Sequence, residues 1–310
     1  MQHAILLLPE QRHLQHTPLP LALAREMGQG DRAPHTAGRR AQLQRWLRPL
    51  PTHWPVAALL RQRDAGDAAL SAWLMAEPCH LHPDINGVRV LAIAEGLQLT
   101  EIDTAAFLPG LKPLFGDAGL LLDAPVPERW YLRLPKASHW PQDVLSADEL
   151  LGHDLGPQLP QGPGELRWRA LLNEAQIVLH HHPRNAERIA QGLLPVNGLW
   201  FWGGGVLPDA VQTACNTVVS ADPLAQALAA SAGATVQTRI DPELDGTVLI
   251  DLTTLRDPAM ILETADDHAQ RLAKGHLQQL TLDFLDGSQW TLLRKHRRRF
   301  WRKPARLDPA

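Results

Sequence analysis

The chain has 310 residues, a length that favours about two domains of ordinary size. Hydrophobic residues make up 45% and charged residues 20% of the sequence, which excludes a disordered, collagen-like or coiled-coil chain. Lys and Arg number 30 against 33 Asp and Glu, so the formal net charge is −3. The chain as a whole is therefore not a nucleic-acid coat or a membrane-surface protein.

Two cysteines, Cys79 and Cys215, are too few for a disulfide framework or a cysteine-based zinc motif. No segment reaches the roughly 18 apolar residues of a membrane span. The start, Met1–Leu8, lacks the basic region of a signal peptide and its apolar run is too short. The expected location is the cytoplasm.

The first half of the chain predicts one buried strand, several helices and then a mixed region. In chain order these are a strand at Ala4–Leu8, helices near Leu19–Met27, Ala41–Leu47 and Pro55–Ala76, a strand at Val88–Ala92 after an Asn86-Gly87 turn, a helix at Thr100–Phe115 with Thr100 as N-cap, and a strand pair at Leu120–Leu122 and Trp130–Leu134. Residues 135–164 are rich in proline, glycine and histidine and predict a long loop.

The second half alternates between helices and strands. The predicted elements are a helix at Gly164–His182, strands at Gly198–Trp202, Thr217–Ser220 and Gly246–Asp251, helices at Pro223–Ser231 (N-cap Asp222) and Ala259–Gly275, and a hairpin of His276–Phe284 with Ser288–Arg294. This alternation favours an α/β fold with a largely parallel sheet and an antiparallel hairpin at its edge.

These elements predict four regions. Residues 1–10 form a strand that joins the C-terminal core, and residues 11–164 form a smaller lobe, first helical and then α+β. Residues 165–294 form the α/β core lobe, and residues 295–310 form a basic tail.

The most informative stretch is residues 171–205, where polar side chains follow a helix and precede an aromatic strand. They are His182, Asn185, Arg188 and Asn197, followed by Trp200, Trp202 and three glycines. The glycines match neither the phosphate-binding loop nor the dinucleotide-binding motif, so nucleotide binding is weakly supported here.

The same residues carry a resemblance. The run His182-Pro183-x-Asn185-x-x-Arg188-x-x-x-Gly192-x-x-Pro195-x-Asn197-x-x-Trp200-x-Trp202-Gly203-x-Gly205-x-x-Pro208 resembles a segment of the archaeal-type cofactor-independent phosphoglycerate mutases. Those enzymes belong to the alkaline phosphatase superfamily, so the resemblance implies an alkaline-phosphatase-like core. It continues more weakly through residues 217–233 and covers about a quarter of the chain.

The whole chain is also similar to the RpfE-type regulatory proteins of plant-associated bacteria. The shared segments are Glu77-Pro78-x-His80-Leu81-x-Pro83-Asp84, Glu128-Arg129-Trp130-Tyr131-Leu132 and Leu194-Pro195-Val196-Asn197-x-Leu199-Trp200-Phe201-Trp202-Gly203-Gly204-Gly205. This resemblance implies a role in the control of extracellular enzymes and virulence factors.

Two departures from the mutase pattern bear on activity. The mutases transfer a phosphoryl group through a serine with two metal ions, and their first ligand is an Asp-Gly after the N-terminal strand, where this chain has Pro9-Glu10-Gln11-Arg12. The later Asp-Glu-Ala-x-His pattern is replaced by Asp251–Asp257, which contains no histidine. We therefore expect a non-catalytic regulatory or binding protein that needs no cofactor.

The alternative is a divergent metal-dependent phosphoglycerate mutase or phosphatase that uses Mn or Zn. In the non-catalytic interpretation, a pocket binds a small anionic ligand or a protein partner. Its candidate residues are His182, Asn185, Arg188, Asn197, Trp200, Trp202 and Arg129, with Arg188 as the partner of the anion.

Histidines offer a second kind of site. His80 and His82 share a face if they lie in a strand, and with His180 they are candidate ligands for a divalent metal. No set of three or four ligands has a recognised spacing. The alternative is that residues 180–182 interact with the dipole of a helix at its C-terminus.

The C-terminus concentrates positive charge, with seven Lys or Arg residues between positions 294 and 303. The candidates for nucleic-acid contact are Arg294, Lys295, Arg297, Arg298, Arg299, Trp301 and Arg302. A solubilising tail and a segment that docks onto the acidic body remain alternatives.

Overall fold

The computed structural model describes residues 3–85, 87–141, 144–240 and 246–307. The strands are β1 (His3–Leu8), β2 (Asp31–Pro34), β3 (Arg48–Leu50), β4 (Ala72–Asp84), β5 (Gly87–Ile93), β6 (Leu121–Val126), β7 (Arg129–Leu134), β8 (Gly198–Gly205), β9 (Ala210–Gln212), β10 (Thr217–Val219), β11 (Thr235–Gln237), β12 (Thr247–Asp251), β13 (Gln279–Phe284) and β14 (Ser288–Leu293). The α-helices are α1 (Leu21–Gln29), α2 (Arg39–Trp46), α3 (Val56–Ala65), α4 (Ala94–Leu97), α5 (Glu101–Asp117), α6 (Ala147–Leu150), α7 (Leu166–His180), α8 (Pro183–Ala190), α9 (Pro223–Ser231) and α10 (Pro258–Lys274).

One compact unit consists of residues 1–52 and 209–310. Its seven-stranded sheet has the order β11-β10-β12-β1-β13-β14-β2. The five strands from β11 to β13 are parallel, and Leu6 of β1 pairs with Ile250 on one side and Leu282 on the other. The hairpin β13–β14 and the edge strand β2 complete the sheet in antiparallel pairing. The predicted α/β class with a largely parallel sheet is confirmed.

The centre of this sheet is buried because its strands are continuous apolar runs, as expected when helices cover a parallel sheet. Leu6, Ile250 and Leu282 are at most 1% exposed, and they belong to one core cluster with Ile261 and Leu272 of α10. Burial of each such side chain contributes about 2 kcal/mol to stability.

The second unit consists of residues 53–208. It contains a five-stranded antiparallel sheet, in which the long strand β4 pairs with β5, β7 and β8. Helices α5 and α7 cover one face, where Phe107, Trp130, Trp168 and Phe201 form an aromatic core. The aromatic-rich strands of the sequence therefore pack within this unit.

The unit boundaries fall at 52/53 and 208/209, whereas the sequence analysis places them at 10 and 164. Residues 165–208 lie in the second unit because β8 pairs with β4. Residues 11–52 lie in the first unit, where β2 pairs with β14. These boundaries depend on pairing between strands that are far apart in sequence. Local composition does not reveal such pairing.

Two local predictions differ from the structure. The helix predicted over Pro55–Ala76 is wrong in its second half, because Gly66 ends α3 in a left-handed conformation (φ +73°) and the apolar run from Ala72 begins β4. The predicted loop 135–164 contains α6, which Ser146 and Glu149 begin with reciprocal capping hydrogen bonds. Of the predicted Asn86-Gly87 turn, Asn86 lies outside the described residues.

Among the described residues, no helix has both the length and the hydropathy needed to cross a membrane.

Candidate functional site

Asn185 joins two segments of the second unit. Its amide nitrogen donates to the carbonyls of Leu179 and Val196, both at 2.8 Å, and its oxygen accepts from the Val196 amide at 2.8 Å. All of these partners are backbone groups, and Asn185 is buried. The side chain therefore ties the end of α7 to the segment before β8.

Arg188 is fully buried, and its guanidinium group faces groups of the same fold. Its Nη1 lies 2.8 Å from Oδ2 of Asp103, its Nε donates to the Leu194 carbonyl at 3.0 Å, and its Nη2 donates to the Leu97 carbonyl at 2.5 Å. The anion that Arg188 binds here is the protein's own Asp103.

Asp103 is the centre of this buried cluster. It completes the capping box of Thr100 at the start of α5 and accepts from Nε of Arg184 at 2.8 Å. Burial alone would raise the pKa of Asp103, but hydrogen bonds from Thr100, Arg184 and Arg188 together hold it below its ordinary value. The cluster therefore stays ionised and fixes α5 against α8.

His182 and Asn197 also bind backbone. His182 is the N-cap of α8, where its ring accepts from the Arg184 amide at 3.2 Å and packs 4.8 Å from the ring of Phe107. Asn197 bridges both backbone groups of Leu81, at 2.6 Å and 2.8 Å. The four polar residues of the mutase-like run thus hold the second unit together.

Trp200, Trp202 and Arg129 lie elsewhere, around the middle of β4. The indole of Trp200 donates to the Leu145 carbonyl at 2.9 Å, and the indole of Trp202 donates to Oε2 of Glu77 at 2.7 Å. Arg129 makes a two-pronged ion pair with Asp64, at 2.7 Å and 2.9 Å. Each of the seven predicted pocket residues therefore bonds to backbone groups or carboxylates of the protein itself.

Glu77 is a buried carboxyl group that the sequence analysis did not single out as a functional group. Burial raises its pKa to about 7, aided by Asp148 and opposed by Trp202 and Arg129. The sequence indicates this buried carboxyl group, because Glu77 stands within the largely apolar run Ala72–Leu81.

The candidate metal ligands do not converge. His80 bonds to the Pro195 carbonyl at 3.0 Å, His82 is exposed beyond a register shift in β4, and His180 is exposed beside His181. Across the ranges that the structure describes, no group of three His, Cys, Asp or Glu residues is placed to hold a metal ion.

Part of the basic C-terminus folds back onto its own unit. Arg297 donates to the Ala273 carbonyl at 2.8 Å, Arg299 pairs with Asp31 at 2.6 Å, and Arg302 donates to the Gly30 carbonyl at 2.9 Å. The residues that remain exposed include Arg294, Lys295, Arg298, Phe300 and Trp301.

The carboxyl ends of the parallel strands form a further cluster. Such an edge is where open α/β sheets bind their ligands. Ser220 follows β10, Asp251 ends β12, and Asp283 lies near the end of β13. Helix α2 places Arg39, Gln42, Arg45 and Trp46 against this edge.

Arg39 holds two carboxylates at this edge. Its Nη2 lies 2.5 Å from Oδ2 of Asp251 and 2.6 Å from Oδ2 of Asp222, and its Nη1 lies 3.3 Å from Oδ1 of Asp251. Asp251 also accepts from the hydroxyls of Ser220 at 2.8 Å and Thr253 at 2.6 Å. Burial alone would lower the pKa of Arg39, but the two carboxylates outweigh it and raise the pKa.

Arg45 makes a second arginine–carboxylate pair two strands away, on β13. Its Nε and Nη2 donate to the two oxygens of Asp283 at 2.9 Å and 2.6 Å, and the Trp46 indole adds a bond of 2.7 Å. Gln42, which lies between Arg39 and Arg45 in α2, donates to the carbonyls of Leu8 and Asp283. Arg39 and Arg45 are residues that the sequence analysis missed, because their partners lie more than 180 positions away.

The mutase resemblance implies two metal ions, and the side chains at this edge do not fit them. Divalent cations take carboxylate oxygens as ligands, but both oxygens of Asp251 and Oδ2 of Asp222 already face the guanidinium group of Arg39, and Oδ1 of Asp222 accepts from the Leu224 amide. A metal ion on either oxygen would lie beside a fixed positive charge. As folded, the edge is an ion-pair cluster.

Comparison with known proteins gives a partial match. No protein-family model matches the chain. A segment of 65 residues is 35% identical to a probable 2,3-bisphosphoglycerate-independent phosphoglycerate mutase of Geobacter sulfurreducens, and covers 21% of this chain and 16% of that protein. A segment of 60 residues is 32% identical to the Methanosarcina mazei enzyme, and covers 19% of this chain and 15% of that protein. The similarity thus spans about a sixth of these relatives.

Two solved structures align with most of the chain. The cofactor-independent phosphoglycerate mutase of Thermoplasma acidophilum aligns with 94% of this chain and 89% of its own, with a TM-score of 0.44 and 15% identity. A Pyrococcus horikoshii protein aligns with 94% of this chain and 87% of its own, with a TM-score of 0.46 and 12% identity.

Proposed function

We propose that this chain is a non-catalytic binding protein with a regulatory role, built on a mutase-like scaffold. The observation that carries the proposal is the pair of arginines at the carboxyl edge of the parallel sheet. Arg39 and Arg45 neutralise the carboxylates of Asp251 and Asp283. Phosphoryl transfer with two metal ions needs carboxylates that are open to those ions.

Two features of the sequence support this proposal. Pro9-Glu10 stands where the mutase pattern has its first metal ligand, and Asp251–Asp257 contains no histidine. The resemblance to RpfE-type proteins supports control of extracellular enzymes or virulence factors as the process in which the protein acts. The proposal requires no cofactor.

The test is an activity assay on the folded chain of 310 residues. Conversion of 3-phosphoglycerate to 2-phosphoglycerate and hydrolysis of p-nitrophenyl phosphate are measured with added Mn²⁺ or Zn²⁺, beside an active phosphoglycerate mutase as control. We expect no turnover above the rate without protein. Turnover that a chelator abolishes would contradict the proposal and establish the divergent mutase or phosphatase.

A second candidate function is nucleic-acid binding through the C-terminus. It is supported by the exposed aromatic pair Phe300 and Trp301, which lies beside Arg298. Binding to a single-stranded oligonucleotide should then weaken steeply with salt and should fall in a Trp301→Ala variant. Binding that is absent at low salt would exclude this function.

A further inference from the structure

The antiparallel sheet of the second unit has two faces, and they are covered in different ways. Helices α5 and α7 cover one face with the aromatic core that contains Phe201. On the other face, the short helix α6 packs through Ala147 and Leu150, which share a core cluster with Cys79 and Trp200. We call residues 144–159 the strap, because this segment covers part of the second face and extends to β5.

Backbone hydrogen bonds attach the strap to the edge strand β5. The Gly152 amide donates to the Val90 carbonyl at 2.8 Å, and the Leu155 amide donates to the Val88 carbonyl at 2.7 Å. The helical part of the strap, α6, is a single turn. A segment that is held by few buried side chains can open while the sheet beneath it stays paired.

Glu77 lies on the face that the strap covers. Side chains alternate along a strand, so Glu77 and Cys79 point to the same side of β4. Glu77 is paired with Trp200 across the β4–β8 ladder, and its Oε2 accepts from the Trp202 indole at 2.7 Å. The carboxyl group is thus buried between the sheet and the segments that cover it.

The charged groups around Glu77 favour its neutral form. Asp148 of α6 faces it from the strap, and Arg129 faces it from β7. The guanidinium group of Arg129 is already paired with Asp64 of α3, at 2.7 Å and 2.9 Å. The thiol of Cys79, on the same strand, is neutral because burial raises its pKa. Burial and the negative charge of Asp148 together raise the pKa of Glu77 to about 7.

We propose that the strap is closed while Glu77 is protonated and opens when Glu77 gives its proton to water. The carboxylate then has no ion-pair partner among the described residues, and it faces Asp148 across the strap. Opening lets water reach the carboxylate, and water favours its charged form. It also uncovers Trp200, whose indole donates to the Leu145 carbonyl at 2.9 Å in the closed strap. Proton loss therefore changes the surface that the second unit presents.

The direction of the pH effect follows from where the proton binds more tightly. In the closed state the pKa of Glu77 is about 7, and in the open state it returns to its ordinary value of 4.5. The closed strap is therefore fully stabilised by the proton below pH 4.5. The open fraction rises as the pH increases from 4.5 and levels off above 7.

Hydrogen exchange of the chain of 310 residues, followed by mass spectrometry at about pH 5 and about pH 7, tests the proposal. Rates are expressed as protection factors, which remove the ordinary pH dependence of amide exchange. Peptides that contain Gly152 and Leu155 should lose at least about tenfold in protection between the two pH values. At the higher pH they should also be at least about tenfold less protected than β7, because the strap opens while the sheet stays paired.

Three variants assign the effect. Glu77→Gln is neutral at both pH values, so the strap should keep the same protection at both. This variant also separates Glu77 from titratable residues of the strap itself, such as His153. Glu174→Gln, which changes an exposed glutamate of α7, is the matched control and should behave like the unmodified chain. Asp148→Asn removes the facing anion and should reduce the loss of protection, which keeps the test decisive if Glu77→Gln does not fold.

Three results would overturn the proposal. One is protection of the strap that does not change between the two pH values in the unmodified chain. Another is equal protection of the strap and β7, which would mean that both exchange only when the whole unit unfolds. The third is a loss of protection that persists in Glu77→Gln, since the proton would then belong to another group.

Discussion

The guanidinium group of Arg39 lies against the carboxylate of Asp251, 212 positions away in the sequence, with Nη2 2.5 Å from Oδ2. Asp251 is fully buried and also accepts from Ser220 and Thr253. A carboxylate offers about four acceptor sites, and protein donors fill them here. Side chains at the carboxyl ends of strands in such sheets usually face a ligand. The carboxylate of Asp251 is instead bonded by side chains of the protein itself.

Loss of the Arg39 charge should destabilise the protein. Arg39→Met leaves the buried charge of Asp251 without its ion-pair partner, and we expect the free energy of unfolding to fall by about 3 kcal/mol. Urea unfolding measures this, with Arg25→Met, an exposed arginine of α1, as the control that should stay within about 0.5 kcal/mol. The double variant Arg39→Met/Asp251→Leu should recover much of the free energy of unfolding that Arg39→Met loses, because no buried charge is left without a partner. If the double variant loses as much free energy of unfolding as the two single variants added together, the two residues are not coupled.

Arg188 should behave as a structural residue. Arg188→Gln leaves Asp103 buried with one partner fewer, so unfolding should become easier by about 3 kcal/mol or more. Arg169→Gln, an exposed arginine on α7, is the matched control and should be close to neutral. If Arg188→Gln unfolds like the unmodified chain, the buried cluster does not stabilise the second unit.

Glu77 should make stability depend on pH. Its pKa is raised from 4.5 to about 7 in the folded protein, so the folded state binds the proton more tightly than the unfolded state. The stability that this proton provides is fully present below pH 4.5 and is lost as the pH rises through 7. The total effect is on the order of 3 kcal/mol.

The measurement is urea unfolding across this pH range for the unmodified chain and for Glu77→Gln. The free energy of unfolding of the unmodified chain, relative to that of Glu77→Gln, should fall as the pH rises from 4.5 through 7. The same comparison with Glu174→Gln, which changes an exposed glutamate of α7, should show no such fall. A difference that stays constant from acid to neutral pH would show that the pKa of Glu77 is the same in the folded and unfolded states, which would contradict the prediction.

Both cysteines should be unreactive in the folded protein. Cys79 and Cys215 are buried, and burial raises the pKa of each thiol, for Cys79 with a further contribution from Glu77. Ellman's reagent should therefore find no fast-reacting thiol until denaturant is added, and then 2 per chain. A fast native-state reaction would place one of them at the surface.

Local signals predicted much of the secondary structure. The apolar run Ala4–Leu8 is a central strand, and Thr100 and Asp222 are N-caps whose side chains accept from the first turn of their helices. Such features depend on neighbours in sequence, which is why the pattern shows them. The boundary after α3 was missed because the helical pattern continued past Gly66 into the apolar start of β4.

The candidate site was harder to predict, because it depends on contacts over long separations. Asn185 and Arg188 have the residue types of a ligand pocket, yet their partners are carbonyls and the carboxylate of Asp103. Arg39 and Arg45 lie in a polar segment with no motif. Only the pairing of β1 with β12 and β13 brings Asp251 and Asp283 next to them.

Mn²⁺ binding to the folded chain, followed by electron paramagnetic resonance of the free ion, tests most directly whether arginine occupies the carboxyl edge in place of metal. If arginine takes the place of metal, we expect no stoichiometric Mn²⁺ binding at micromolar concentration, in the unmodified chain or in Asp251→Asn. Stoichiometric binding that disappears in Asp251→Asn would refute this, because Asp251 would then be a metal ligand and Arg39 a group that moves aside.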